Sequence, residues 1–319
     1  MAEAWIGAGG WGYFRGPSGR PLEDYARAFR FAEANVTFYR HPSLTTVRRW
    51  RRSVPRGFRF AVKVHQAVTH RARLRPTSEA MAALDRDIAI AIALGSEVLV
   101  FQTPADLKLE RDEAKGLRDL ASSIPPRIRV ALEPRAHRSG VLPSPLANTL
   151  RDIGGIDVID LSRGETPRVS SDVLYTRLFG ASNGNVWEFS DAELRAIGDA
   201  ADRQDVDRVI FTFHGVKMYK DAARFHAFRA TGEFPRATRA AGPEAVREVL
   251  APDARWPMAR NDLLRDHGWK VVTLPDGRNV HTTDLFRELP DTRYSSADQV
   301  VRSLGKGTSK RNMTEQSKL

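Results

Sequence analysis

The segment FAEANVTFY at Phe31–Tyr39 decides the fold. Its apolar first half predicts a short buried strand, Phe31–Val36, and Ser43 then has the position of an N-cap for a helix at Leu44–Arg52. Glu33 and Asn35 alternate near the carboxyl end of this strand, which predicts that both side chains lie on one face. In an α/β barrel, that end of the strand carries the chemistry.

Short strand-like runs alternate with helical periods up to Phe213, which is typical of βα units. Eight strands are predicted, the number that closes a TIM (β/α)8 barrel. They are Trp5–Ala8, Phe31–Val36, Phe58–Val64, Glu97–Phe101, Ile128–Leu132, Asp157–Leu161, Val173–Phe179 and Arg208–Phe213. The predicted helices between and after them include Leu22–Phe29, Ser78–Leu94, Asp112–Ser122, Pro145–Ile153, Ser190–Arg203 and Met218–Ala230. In Ser78–Leu94, the charged residues Asp85, Arg86 and Asp87 are expected to point outward. The segment Ser162–Asp172 is short and rich in Gly and Pro, which predicts a loop or a single turn.

After about Pro235 the βα rhythm stops. The predicted elements there are the helices Pro243–Leu250, Asn261–His267, Thr283–Glu288 and Ser295–Leu304, and a hairpin of Trp269–Thr273 with Arg278–His281. We therefore predict a barrel domain at residues 1–235, a small mainly helical module at 236–305 and a disordered tail at 306–319. The pattern PDxxYxSxxxVxxxLG at Pro290–Gly305 resembles the DUF2795 module.

Three motifs together resemble the DUF72 (YecE-like) family. They are IGAGGWGYF at Ile6–Phe14, the segment from Glu33 through Pro42, and GFRFAVKVHQAVTH at Gly57–His70. The resemblance runs in order to about Phe225 and implies a TIM barrel, while the family's uncertain activity implies no particular reaction. The ALEPR run ending at Arg135 matches an E-P-R element of the family, whereas Gly180 stands where the family leads us to expect a histidine.

Composition limits the class of protein. The chain has no cysteine, which excludes disulfides, thiolate nucleophiles and Cys–zinc sites. No run of about 18 apolar residues and no signal-peptide pattern is present, so we expect a cytoplasmic protein with no membrane partner. The oligomeric state is not predicted by any pattern.

The formal net charge of +11, mostly carried by arginine, favours a polyanionic partner such as DNA or RNA. Codon bias or a hot habitat is the alternative explanation for the arginines. The clustered arginines are Arg48, Arg49, Arg51, Arg52, Arg56, Arg59, Arg71, Arg73 and Arg75.

The barrel rule then selects residues at strand carboxyl ends as the candidate site. We predict catalytic roles for Glu133, Glu33, Lys63 and His214. Binding of substrate or phosphate is predicted for Trp11, Asn35, Tyr39, Arg40, His70, Arg135, Arg177, Phe179 and Tyr219. Lys63 lies within an apolar strand and needs a partner, for which Glu33 is the candidate. The structural alternatives are a core tryptophan at Trp11, a salt-bridged rim at Glu133 and Arg135, and a core histidine at His214.

A divalent metal, Zn or Mn, is the cofactor to consider. Asp160 with Glu33 and Glu133 are ligand types that endonuclease IV and xylose isomerase-like barrels gather at strand ends. The spacing lacks an HxH or HExxH motif, and the neighbouring cations oppose a dense metal cluster.

These residues favour an enzyme that acts on a phosphate-bearing substrate, first of all nucleic acid. The expected reaction is endonuclease IV-like hydrolysis of a phosphodiester or N-glycosidic bond, which describes a DNA-binding nuclease or glycosylase of DNA repair. One alternative is a non-catalytic nucleic-acid-binding protein that uses Arg48–Arg59. The other is an isomerase or lyase of a small sugar phosphate.

Overall fold

The computed structural model describes residues 2–138, 140–181 and 184–305. The chain packs as two compact units. Among the described residues, one unit contains those up to Phe179 together with Ile197–His214, and the other contains those of Gly180–Ala196 together with 215–305. The domain boundary at residue 235 stays a prediction, and the tail predicted at 306–319 lies outside the described residues.

The first unit holds a closed barrel of eight parallel strands in sequence order, which confirms the predicted TIM-barrel fold. Its strands are β1 (Glu3–Ala8), β2 (Phe31–Ala34), β3 (Arg59–Lys63), β4 (Val98–Gln102), β5 (Arg129–Glu133), β6 (Ile156–Ile159), β7 (Val173–Leu178) and β8 (Arg208–Phe213). Strand β1 pairs with both β2 and β8, and so closes the barrel.

Most helices lie within a few residues of their predicted bounds. They are α1 (Pro21–Ala28), α2 (Val36–Tyr39), α3 (Leu44–Arg52), α4 (Ser78–Leu94), α5 (Arg111–Ala121), α6 (Ser144–Asp152), α7 (Asp191–Asp202) and α8 (Met218–Thr231). Ser43 caps α3 by accepting from the Thr46 amide at 3.2 Å, as predicted. Gly95 ends α4 with a left-handed φ of +68°. The segment Ser162–Asp172 contains only the end of a 3-10 turn, Leu161–Arg163, which confirms the loop predicted there.

Two local predictions are wrong. Strand β2 ends at Ala34, because Asn35 adopts helical angles (φ −78°, ψ −18°) and opens the short helix α2. The Thr37 hydroxyl holds this turn against the end of β3 by donating to the Lys63 carbonyl at 2.6 Å. Asp87, predicted to point outward from α4, is fully buried and accepts hydrogen bonds from His41 and from the backbone of His65.

The barrel interior is filled by side chains that point inward from successive strands, as expected for a closed parallel barrel. The apolar members of this layer are Trp5, Phe31, Ala61, Val98, Val100, Ala131, Ile156, Val158, Val173, Tyr175 and Ile210. This apolar layer fills the barrel below its carboxyl end, and the polar side chains at the strand ends lie above it.

The second unit has its own core. Beyond α8 it contains α9 (Pro243–Leu250), β9 (Met258–Ala259), α10 (Arg260–His267), β10 (Val271–Thr273), β11 (Asn279–His281), α11 (Thr282–Phe286), β12 (Arg293–Tyr294) and a helical stretch at 297–305. Strands β10 and β11 form the predicted hairpin, and β9 pairs with β12 without having been predicted. The likeness of this region to DUF2795 stays a prediction. Among the described residues, no helix has the length and apolar character needed to cross a membrane.

Candidate functional site

A buried arginine joins two carboxylates at the carboxyl end of the barrel. Arg177, from β7, donates to both oxygens of Glu33 on β2, at 2.9 and 3.2 Å, and its other terminal nitrogen donates to Glu133 on β5. Tyr175, two residues earlier on β7, donates its hydroxyl to Glu33 at 2.7 Å. The three charged residues are at most 5% exposed. This network links three strands that are not neighbours in the barrel.

Glu133 is surrounded by donors. Besides Arg177, it accepts from Gln102 at 2.7 Å, from Arg135 at 3.2 Å and from Arg138 at 2.8 Å. Burial alone would raise the pKa of Glu133, but the adjacent guanidinium groups outweigh burial and hold that pKa well below its usual range. Glu133 is therefore a fixed carboxylate near neutral pH, and a role as proton donor does not fit this geometry.

Lys63, the last residue of β3, does not pair with Glu33 as predicted, because Arg177 and Tyr175 occupy that carboxylate. Its Nζ lies 4.0 Å from the ring centre of Phe38, and within the described parts of the chain it makes no hydrogen bond or ion pair. Burial and the charge of Arg177 lower the pKa of Lys63 to about 7. A large fraction of this amine is uncharged at neutral pH.

The ends of β7 and β8 supply a stacked pair of rings. Phe179 and His214 lie with ring centres 4.7 Å apart and an interplanar angle of 15°. Burial and the charge of Arg177 lower the pKa of His214 well below its usual value, so the imidazole is neutral. The His214 ring lies close to the backbone of Gly9, where a side chain would not fit, since a Cβ on Gly9 would lie 2.3 Å from the imidazole. In the described chain, two buried atoms here have no hydrogen-bond partner, Nε2 of His214 and Oδ1 of Asn35.

The other predicted binding residues differ in exposure and in position. Tyr39 is 69% exposed and Arg40 is also exposed, so both are accessible to a ligand. His70 is half-buried and bonds to its neighbour Thr69 at 2.9 Å. Trp11 is buried with its ring edge-on to Trp50 and Phe60, which fits the core alternative. Tyr219 lies on α8, in the second unit.

Asp160 does not join the two glutamates as a ligand set. Its carboxylate accepts from the backbone of Ser162 and Phe179 and lies 3.3 Å from Arg163. Because Glu33 and Glu133 are both engaged by Arg177, the arrangement does not fit a metal ion held by these carboxylates. Across the described ranges, no three His, Cys, Asp or Glu side chains come together in a way that would hold a metal. A Zn or Mn ion stays a prediction, and we derive no step through it.

Three residues of the site were not predicted from the sequence. Tyr175 is two residues from Arg177 on one strand, and the two-residue period alone places both side chains in the barrel. Phe38 lies in α2, which was predicted partly as strand. Arg138 follows a 3-10 turn, Arg135–His137, and no sequence signal brings it back to Glu133.

The model of a family described as "Protein of unknown function DUF72" matches residues 5–243 of the chain. The UPF0759 protein YecE of Escherichia coli (strain K12) is 43% identical over 54 residues. That match covers 17% of this chain and about a fifth of the relative's length (20%), so it is a local similarity.

Solved structures with a similar fold include a DUF72 family protein from Thermotoga maritima MSB8. It has a TM-score of 0.57 at 21% sequence identity, covering 72% of this chain and 99% of that chain. Endonuclease IV from Thermus thermophilus gives a TM-score of 0.43 at 14% identity, covering 72% and 98%. A likeness at this last level carries no inference about activity.

Proposed function

We propose that this chain, which belongs to the DUF72 family, is an enzyme that binds a phosphate-bearing substrate at the mouth of its barrel. The observation that carries the proposal is the excess of cationic groups around Glu133. Arg135 and Arg138 each donate one hydrogen bond to this carboxylate, and their side chains are about 30% exposed. Their remaining donors match the fork geometry that arginine uses with phosphate oxygens.

Nucleic acid is the substrate class that we place first. The net charge of +11 raises the local concentration of polyanions around the whole chain. Two tyrosines after neighbouring strands, Tyr13 and Tyr39, are 82% and 69% exposed, and exposed aromatic rings stack on bases with little sequence preference. The proposed reaction is cleavage of a phosphodiester or N-glycosidic bond.

Within this site we assign proton transfer to Lys63. A general base works best with a pKa near the working pH, and the pKa of Lys63 is lowered to about 7. Glu133 stays ionised and orients Arg135 and Arg138. Because Glu133 stays ionised, a role as proton donor is not part of the proposal.

The direct test uses labelled DNA and RNA, intact, abasic and deaminated, with and without a chelator. We expect cleavage of at least one substrate, and we expect R135Q with R138Q to raise its KM roughly tenfold or more, because each lost charged hydrogen bond is worth about 1.5–3 kcal/mol. The chelator arm, together with metal analysis of the purified protein, tests the predicted Zn or Mn ion.

The matched control is R127Q. Arg127 is exposed and precedes β5 at the amino end of the barrel, so it should leave KM unchanged. Absence of turnover on every substrate, with no loss of anion binding in R135Q/R138Q, would overturn the proposal.

A non-catalytic binding role is the second candidate, because α3 presents a separate cationic surface. Arg48, Arg49 and Arg52 are exposed and form no ion pair within the described residues, whereas Arg51 is engaged by backbone carbonyls of Phe58 and Pro55. The helix thus offers three arginines to a partner, one fewer than its sequence suggests.

For this second candidate, R48E/R49E/R52E should lower DNA affinity at least 100-fold. It should also reduce the magnitude of the slope of log affinity against log salt concentration by roughly 3, since each lost phosphate contact reduces that slope by about 0.9. Fluorescence anisotropy across a salt series measures both quantities. Unchanged affinity would exclude α3 as the binding surface.

A further inference from the structure

Lys63 differs from Lys270, a second buried lysine among the described residues. Lys270 is 4% exposed, and its Nζ donates to the Val249 carbonyl and to Asp253, so its charge is paired. Lys63 is 7% exposed, and in the described chain its Nζ has only the face of Phe38 at 4.0 Å. A buried amine with no anionic partner costs stability, which is a reason to look for a chemical use.

The carboxylates near this amine are committed elsewhere. Glu33 is held by Arg177 and Tyr175, and Glu133 by three arginines and Gln102, so neither hydrogen-bonds to the lysine. The charge of Arg177, which stays ionised between the two glutamates, opposes protonation of Lys63. Enzymes activate a lysine nucleophile in this way, by desolvation and a neighbouring cation.

We propose that Lys63 forms an imine with the carbonyl carbon of a phosphate-bearing aldehyde held at the barrel mouth. The inference rests on the proposed function, since Arg135 and Arg138 would hold the phosphate while the amine attacks the carbonyl. It goes beyond proton transfer, because the lysine becomes covalently attached to the substrate.

The step balances without any further reactant. The neutral amine adds to the carbonyl carbon to give a carbinolamine, which then loses water. Both hydrogens of the amine leave with the carbonyl oxygen as that water, and a carbon–nitrogen double bond remains. Asn35 Oδ1 and His214 Nε2 are among the buried side-chain atoms that lack a hydrogen-bond partner in the described chain, and both are available to hydrogen-bond to a hydroxyl group of the substrate.

Two sources carry this chemistry, the open-chain aldehyde of an abasic site in DNA and a small aldose phosphate. The test incubates the full chain with sodium cyanoborohydride and one of three probes: an abasic oligonucleotide, glycolaldehyde phosphate, or glycolaldehyde without phosphate. Peptide mass mapping then locates the reduced secondary amine. We expect modification of Lys63 to exceed that of the exposed Lys115 at least tenfold with one phosphate-bearing probe, and phosphate-free glycolaldehyde to lose this preference.

The variants are K63R, which keeps a cation but is a poor nucleophile, and K115R as the surface control. K63R should abolish the specific adduct and K115R should leave it unchanged. Peptide mapping of the adduct on the protein without substitutions tests the proposal even if K63R does not fold. An adduct spread evenly over Lys63 and Lys115, or equal labelling by phosphate-free glycolaldehyde, would overturn the proposal.

Binding of the same probes without reductant separates this inference from the proposed function. If a phosphate-bearing probe binds in a salt-dependent manner that R135Q/R138Q weakens, but no adduct forms, the imine is excluded and the phosphate site stands. If no probe binds and no adduct forms, both are excluded.

Discussion

R177M is expected to lower the free energy of unfolding by about 3–5 kcal/mol, because removing one member of a buried ionic network leaves charges without a partner. Arg177 is 2% exposed and is the cation that joins Glu33 to Glu133 across the barrel. Methionine fills a similar volume, so the lost charge rather than a cavity dominates the effect. Urea denaturation at neutral pH, followed by circular dichroism, measures the shift in midpoint.

Arg208 provides a matched control. It also joins two carboxylates, Glu3 and Glu97, but its side chain is 28% exposed and theirs are 51% and 43% exposed. Solvent screens such a bridge, so R208M should cost about 1 kcal/mol or less. Adding E33Q to R177M should recover part of the loss, since it removes one stranded charge. Equal costs for R177M and R208M would show that burial of the network does not set its contribution.

The fold was predictable because its signals are local. Capping residues and apolar periodicity placed α3, α4 and β8 at their observed bounds. The meeting of Glu33 and Glu133 was also predictable, since the carboxyl ends of all eight strands lie at one end of the barrel. A rule about strand ends needs no knowledge of side-chain partners.

The pairing within the site was not predictable, because it depends on competition between groups at similar range. Glu33 was expected to pair with Lys63, but the guanidinium of Arg177 binds both of its oxygens. A planar fork fits a carboxylate better than a single ammonium does. Arg138 comes from an irregular segment, where no period indicates direction. The buried Asp87 shows the same limit, since its helix position matched the apolar face while its charge predicted exposure.

Loss of the amine at Lys63 should make the protein more stable, and by an amount that depends on pH. The pKa of Lys63 falls from the usual 10.5 to about 7 in the folded protein, because burial and the charges of Arg177 and Arg135 outweigh those of Glu33 and Glu133. Below about pH 7 both folded and unfolded chains carry the proton, so the folded state bears the full cost of the shift, on the order of 5 kcal/mol.

Between about pH 7 and pH 10.5 only the unfolded chain binds this proton, so the stability of the unsubstituted protein rises with pH in that window. K63M has no such group, and its advantage over the unsubstituted protein should therefore be largest near pH 6 and should shrink by about 3 kcal/mol by pH 9. Urea denaturation of both proteins at these two pH values measures the difference, in which the titration of groups that keep the same pKa in both proteins cancels. K115M, at an exposed position, is the surface control, and its change between the two pH values is subtracted from that of K63M. A difference for K63M that stays constant after this subtraction would mean that the amine keeps its ordinary affinity for protons, and neither its role as a base nor its reaction with an aldehyde would then have a physical basis.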